Sequence, residues 1–184
     1  MTSAPVRSRA ASEQALVSAA ASLFEEVGPN AVSVRAIAER AGVNHGLVHH
    51  YFGSKAGLVQ AVLEQLADES AAAIRERGVD AVISPDDDRV RRHVRVLTRV
   101  VLDDAAPEGF QAQFPIVAYL SGLGRETLGL DDETSRLRAS QVVALMVGWL
   151  TLEPWLLASA GLHPESAEAA RADLQAAMVR LATG

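Results

Sequence analysis

The stretch SVRAIAERAGVNHGLVHHYFGSKAGL, residues 33–58, constrains the fold of this chain more than any other part of it. Ile37 and Ala38 fall in a first short helical segment, Gly42 follows that segment, and Val48 falls in a second. The small Ala38 allows two helices to cross closely, and Gly42 can adopt a positive φ without a steric penalty. Ile37 and Val48 would then meet in a small core. This spacing predicts a helix-turn-helix, although a generic helical hairpin shares part of the pattern.

Polar residues with capping propensity mark the ends of these segments. Ser33 suits the N-cap of the first helix, and Asn44 is equally well suited to cap the second. Gly53 ends the second helix, and Ser54 can cap the next one. The helix-turn-helix is therefore expected at 33–52, and this motif places its second helix in the major groove of double-stranded DNA.

The same stretch resembles the DNA-binding domain of the tetracycline-repressor (TetR) family of bacterial regulators. Upstream of it, Ala20, Leu23, Phe24 and Gly28 stand where that family has its own small, apolar and glycine positions, so the similarity covers residues 9–62. The resemblance implies an all-helical fold, a homodimer, and a C-terminal domain that binds a small-molecule effector. It also implies that the chain is a transcriptional regulator, most simply a repressor that an effector releases from its operator.

The second helix of the motif carries the side chains that could contact DNA. Asparagine can bond adenine, imidazole can donate to guanine or to a phosphate, leucine can pack on a thymine methyl, and glycine allows close backbone approach. The predicted DNA-facing positions are Asn44, His45, Gly46, Leu47, His49 and His50. The resemblance adds phosphate contacts from Ser33, Tyr51 and Lys55, and a base contact from Arg35. Positions 44, 47 and 49 depart from the family pattern, so the operator sequence cannot be transferred from a relative.

The charge of the chain is unevenly distributed. The net charge is −6 overall, but residues 1–60 carry +1 and the remainder carries −7. A first segment of +1 predicts modest non-specific attraction to DNA, because counterion release scales with the number of phosphate contacts. Arg91, Arg95 and Arg99 follow one helical stripe, with Arg92 beside them. A solvated face, an anion site for an acidic effector, or a surface that contacts DNA would each fit that stripe.

Apolar periodicity without sustained alternation predicts an all-α fold with little or no strand. An N-terminal three-helix DNA-binding domain is expected at 1–54, and a helical effector-binding and dimerisation domain at 55–184. Residues 1–8 look disordered and 78–85 look like a break. Helices are expected at 12–27, at 55–77, from 86–88 onward, at 114–128, at 135–160 and at 164–181, in addition to the motif itself.

The segment from Val142 to Leu162 is apolar enough to suggest a membrane span, but Glu153 and Pro154 at its centre argue against one. A helix that is apolar all round in a soluble protein packs on several sides, one of which can be a second subunit. The resemblance indicates a dimer interface built from two long helices, here about 135–160 and 164–182. No signal-peptide pattern is present at the N-terminus, and a cytoplasmic location is expected.

Glu153 lies in apolar surroundings and must pair, neutralise or face a cavity. It could bond an arginine or Tyr119, or it could recognise a donor or cation on a mostly apolar effector. His93 is expected nearby. The candidate effector pocket consists of Phe110, Phe114, Tyr119, Met146, Trp149, Glu153 and Trp155. The same aromatic residues would also suit a simple core.

Other function classes find little support. The chain has no cysteine and shows no nucleophile–base pair, phosphate-binding loop or metal-ligand set, so no enzyme activity and no cofactor are expected. His45 and His49 have the spacing of metal ligands, but no third ligand accompanies them. The remaining alternative is a helical protein-interaction module with a vestigial helix-turn-helix.

Overall fold

The computed structural model describes residues 8–83, 87–103 and 113–183, and within these ranges every regular element is helical. This confirms the all-α fold. The elements are α1 (Arg9–Val27), α2 (Val34–Ala41), α3 (Gly46–Phe52), α4 (Lys55–Arg77), α5 (Val79–Ile83), α6 (Asp88–Leu102), α7 (Pro115–Leu128), α8 (Asp132–Ser159), a short 3-10 helix (Pro164–Ser166) and α9 (Ala167–Thr183).

Capping side chains explain why two helices begin earlier than the apolar pattern indicates. Helix α1 begins three residues early because the Ser8 Oγ accepts a hydrogen bond of 3.2 Å from the Ala11 N–H. Helix α8 also begins three residues early, because Asp131 accepts a hydrogen bond of 2.9 Å from the Thr134 N–H. Acidic residues in the first turn of α8 further favour that start, since they oppose the helix dipole.

The predicted break at 78–85 is wrong for residues 79–83, which form α5, and residues 84 and 85 lie outside the described residues. Gly78 ends α4 with a φ of 61°, and the next helical turn follows at once. Asp87, only 5% exposed, then precedes α6 and accepts hydrogen bonds from the side chains of Arg89 and Arg77. These two guanidinium groups, Arg89 above all, hold the pKa of Asp87 below its usual range.

The chain divides into two compact units, one comprising residues 1–65 and 99–112 and the other comprising 66–98 and 113–184. Helices α4 and α6 each contribute to both units. The compact units therefore do not divide at residue 54, where the DNA-binding domain was predicted to end. The division of function between 1–54 and 55–184 stays a prediction.

The end of α6 belongs to the first unit because it bonds to the turn after α1. The Asp103 carboxylate accepts a hydrogen bond of 3.2 Å from the Asn30 N–H, and the Asn30 side chain donates to the Asp103 carbonyl. Gly28 adopts a φ of 81°, and a Cβ there would lie 2.6 Å from the Asp103 carboxylate. The backbone conformation thus requires glycine at position 28, and any side chain there would also displace the Asp103 carboxylate.

Each unit has its own apolar core. In the first unit, buried side chains from the first four helices meet, among them Leu16, Phe24, Ile37, Val48 and Leu58, all 0% exposed. The core of the second unit draws on α4 to α9 and consists of Ala73, Ile74, Ala81, Val82, Val90, Val94, Ile116, Leu120, Ala139, Val142, Met146 and Met178.

Candidate nucleic-acid interface and ligand cleft

The turn between α2 and α3 has the conformation that the sequence pattern predicts. Gly42 adopts the left-handed conformation, with φ 66° and ψ 38°, and the Val43 N–H donates to the Ala38 carbonyl at 3.0 Å. Ile37 and Val48 are both fully buried, one on each helix of the motif. The buried pair and the tight turn together fix how α3 leaves α2.

Helix α3 presents an exposed polar face because Val48 anchors its other side in the core. Leu47 is half-buried on the border of that face. The remaining predicted DNA-facing residues of this segment are all exposed, namely Asn44, His45, Gly46, His49 and His50. The His49 Nδ1 lies 3.2 Å from the Gly53 carbonyl oxygen. If that contact is an N–H donation, Nε2 is the nitrogen left for another partner.

The Asn44 side chain bonds to the start of α3, one residue before the N-cap position at His45, and this bond limits its predicted role at DNA. Its Oδ1 accepts a hydrogen bond of 2.8 Å from the Gly46 N–H, which satisfies a donor at the start of the helix. A bidentate contact to adenine uses both the oxygen and the amide nitrogen of asparagine. Because the oxygen is already engaged, we expect Asn44 to act first as a cap and only secondarily as a base contact.

Replacing Asn44 tests whether its hydrogen bond at the start of α3 matters more than a contact with a base. Asn44→Ala is expected to lower the free energy of unfolding by about 1 kcal/mol, because the Gly46 N–H loses its acceptor. Asn44→Asp keeps an acceptor and should change stability by less than about 0.5 kcal/mol, while its negative charge weakens DNA binding. Urea denaturation and a mobility-shift titration measure the two effects. Equal losses of stability in both variants would contradict the capping role.

The residues flanking α3 supply hydroxyl and cationic groups. The Ser33 Oγ caps α2 by accepting from the Ala36 N–H at 3.1 Å, and both Ser33 and Arg35 are exposed. Lys55 is half-buried at the start of α4. Burial lowers the pKa of Lys55, and the nearby Asp103 carboxylate partly offsets this effect.

Arg9 is a candidate DNA contact that the sequence pattern does not reveal. Its guanidinium lies 5.4 Å from the ring centroid of Tyr51, a predicted phosphate contact, and it pairs with Glu13 at 2.9 Å. A cation over an aromatic ring is weakly attractive, and here it brings a positive charge next to Tyr51. The contact joins residues far apart in the sequence, so no local spacing could have predicted it.

The predicted effector residues lie in different environments. Phe110 lies outside the described residues. Met146 is buried in the core of the second unit, and Tyr119 and Trp149 are half-buried. Phe114 is 50% exposed and Trp155 is 64% exposed. Where they are described, the members of the set therefore range from buried to exposed, and the pocket that they would form stays a prediction.

Glu153 does face a cleft, and its partner there is Arg171 of α9. The Arg171 Nε donates to one oxygen of the Glu153 carboxylate at 2.9 Å, and the Arg171 Nη2 donates to the other oxygen. Of the two kinds of partner that the sequence predicts for Glu153, an arginine or Tyr119, the arginine is the one observed. The cleft has a volume of about 350 Å³ and is lined by Glu153, Pro154, Leu157, Ala158, Leu162, Ala167 and Arg171.

The comparisons with known proteins agree with this architecture. Residues 16–62 match the family described as bacterial regulatory proteins, tetR family. The HTH-type transcriptional repressor Rv3405c of Mycobacterium tuberculosis is 36% identical over 175 residues, which cover 91% of this chain and 87% of that protein.

Two solved structures have the same fold. A transcriptional regulator from Rhodococcus sp. Rha1 is 25% identical with a TM-score of 0.65, and the match covers 91% of this chain and 96% of that one. A TetR transcriptional regulator from Legionella pneumophila is 21% identical with a TM-score of 0.61, covering 95% and 99%, and shares the fold.

Proposed function

Because this chain belongs to the tetR family of bacterial regulatory proteins and is a DNA-binding transcriptional regulator, we propose that it is a repressor that a small-molecule effector releases from a palindromic operator. The observation that carries this proposal is the exposed polar face of α3, held in place by the buried Val48. The repressor acts in the cytoplasm, and it binds double-stranded DNA through the exposed side chains of α3 and its flanking residues.

A homodimer would present two such faces to the two halves of a palindrome. In helix-turn-helix dimers, the recognition helices lie one DNA turn apart, about 34–36 Å. A palindromic operator follows from the twofold symmetry of the protein. Dimerisation also doubles the few contacts that each subunit makes, which matters because residues 1–60 carry a net charge of only +1.

Helix α8 supports a dimer interface because its apolar surface is largely uncovered in the single chain. Its length and composition would suit a membrane span, and only 17% of its most apolar window is buried. Leu137, Leu145, Leu152 and Trp155 are all between 40% and 64% exposed, and their spacing places them on one face of the helix. We propose that a second copy of this chain covers that face through about 135–160 and 164–182.

Gly148 lies on the same face and gives this interface a point of close approach. A glycine inside a helix is about 1 kcal/mol less favourable than alanine. A Cβ at Gly148 would meet nothing within 4 Å in the single chain, so the packing of this subunit does not require glycine there. A partner helix that crosses near Gly148 would use the missing side chain.

Operator binding is tested by selecting bound DNA from a random pool and then titrating the selected sequence in a mobility-shift assay. Arg35→Ala is expected to weaken binding by about 1–3 kcal/mol, because Arg35 is exposed on α2 and available to a base edge. Arg40→Ala is the matched control on the same helix. The Arg40 guanidinium pairs with Glu26 at 3.2 Å, so its loss should change affinity little.

The outcome of this selection separates a repressor from the alternative function. Recovery of a palindromic sequence whose binding depends on Arg35 more than on Arg40 supports the proposal. A helical protein-interaction module with a vestigial helix-turn-helix would recover no sequence. Equal effects of the two arginine substitutions would argue against the proposed contact surface.

A further inference from the structure

The cleft between α8 and α9 combines apolar walls with one charged end. Pro154, Leu157 and Leu162 supply apolar surface, and the Glu153–Arg171 ion pair closes one side. Arg171 is the more exposed member of the pair, at 42% against 19% for the Glu153 side chain. A molecule that enters the cleft would therefore meet a cation already bonded to a carboxylate, beside a surface suited to hydrocarbon.

Glu153 has polar neighbours other than Arg171. Arg171 is the main cause that keeps the pKa of Glu153 below its usual range, and the Trp149 indole N–H and the charge of Arg91 add to this effect. The Trp149 Nε1 and the Arg91 Nε are both buried and make no hydrogen bond within the described part of the chain, so the Trp149 N–H lies near enough to Glu153 to act on its pKa without being in hydrogen-bond geometry with it. Buried donors without an acceptor are uncommon and costly.

We propose that this cleft binds an apolar monocarboxylate, whose carboxylate replaces that of Glu153 on the Arg171 guanidinium while its hydrocarbon chain lies along Pro154, Leu157 and Leu162. The exchange conserves the bidentate arginine–carboxylate pair. The displaced Glu153 carboxylate would turn toward Trp149 and Arg91, whose donors it can satisfy. No bond other than hydrogen bonds is made or broken.

The local charges favour an anionic ligand over a cationic one. Arg171 bonds Glu153 directly, and Arg91, which also pairs with Asp88 at 3.8 Å, acts on Glu153 from further away, so Glu153 already lies near two positive groups. An ammonium ligand would have to pair with Glu153 beside two arginines, and like charges at short range repel. A neutral alcohol would gain the apolar contacts but could not replace a carboxylate on Arg171. That this ligand also acts as the effector rests on the proposed function, whereas the binding itself does not.

Calorimetric titration of the full-length protein, without DNA, distinguishes these ligand classes. The probes are sodium octanoate, n-octanol and n-octylamine, which share a hydrocarbon chain and differ in the head group. Octanoate is expected to bind at least about tenfold more tightly than the other two, since only its head group forms the charge-assisted pair.

Two substitutions give opposite expected results. Arg171→Gln should weaken octanoate binding about tenfold or more, because the cation is lost. Glu153→Gln should strengthen octanoate binding about threefold or more, because the competing carboxylate is lost. The matched controls, Arg180→Gln on α9 and Glu133→Gln on α8, both exposed, should leave the affinity unchanged. The double variant Glu153→Gln/Arg171→Gln replaces the ion pair with a neutral pair, so neither charge is left without its partner. Its affinity for octanoate should also be lost.

Any other pattern overturns the proposal. Tighter binding of octylamine would identify a cation site, and weaker octanoate binding in Glu153→Gln would show that Glu153 does not compete with the ligand for Arg171. Equal binding of all three probes would mean hydrophobic filling only, and absence of octanoate binding would mean that another group, such as a partner subunit, fills the cleft. A mobility-shift assay with octanoate is a separate measurement. Octanoate that binds without releasing DNA would leave the ligand assignment standing and count against its role as the effector.

Discussion

Leu152→Glu is expected to dissociate the proposed dimer into monomers and to weaken operator binding by about 100-fold or more, since charges buried at an interface cost several kcal/mol. Leu152 is 45% exposed in the single chain and lies on the same α8 face as Trp155. In a twofold interface, one substitution places two carboxylates in an apolar contact. A monomer keeps its recognition helix but can bind only one half of a palindrome.

Sedimentation velocity measures the mass of the variant in solution, and a mobility-shift titration measures its affinity for the operator. Leu102→Glu is the matched control, because Leu102 is also an exposed leucine, at 74%, but lies at the end of α6. The control should remain dimeric. A dimeric Leu152→Glu variant would show that this face of α8 is not the interface, whatever its apolar character.

The helix-turn-helix could be predicted from the sequence because it depends on local rules. The turn needs a residue that tolerates positive φ, and Gly42 has a φ of 66°. The core of the motif needs apolar residues at fixed helical spacing, and Ile37 and Val48 are buried as predicted. Asn44 is predicted to cap the second helix; the N-cap position is His45, but the Asn44 side chain accepts a hydrogen bond from Gly46 at the start of that helix, and only this bond reveals the consequence for base contacts.

The cleft between α8 and α9 could not be predicted in the same way, because it depends on the rotation of α8 relative to α9. Glu153 and Trp155 are two residues apart, so on a helix they point about 200° away from each other. Glu153 therefore faces the cleft while Trp155 is exposed. Arg171 lies 18 residues beyond its partner, on another helix, and nothing in the local sequence connects the two.

The contact between Arg9 and Tyr51 has the same origin. The two residues meet only after α1 packs against the motif, and the sequence of either segment alone gives no sign of the other. Long-range pairs of this kind depend on how helices cross, whereas caps and turns depend on a few adjacent residues. This is why the exposed face of α3 could be predicted and the additional cation beside it could not.

Phe24→Ala is expected to lower the free energy of unfolding of the first unit by about 3–5 kcal/mol, the usual cost of removing a large buried aromatic side chain. Phe24 is 0% exposed and shares the first core with the buried side chains of the helix-turn-helix. The loss combines the transfer of the ring to water with the cavity left behind. Since this core holds α3 in position, the affinity for the operator should fall together with the free energy of unfolding.

Urea denaturation followed by far-ultraviolet circular dichroism measures the change, and an unchanged slope would show that the unfolded state is not altered. The matched control is Phe114→Ala, because Phe114 is 50% exposed. Removal of the Phe114 ring should lower the free energy of unfolding by about 1 kcal/mol or less, since half of its surface is already in contact with water in the folded chain. If the two substitutions lowered the free energy of unfolding equally, the core assigned to the first unit would be wrong. If only Phe24→Ala unfolded early and lost the operator, the small core around α3 would be the part of the fold on which DNA recognition depends.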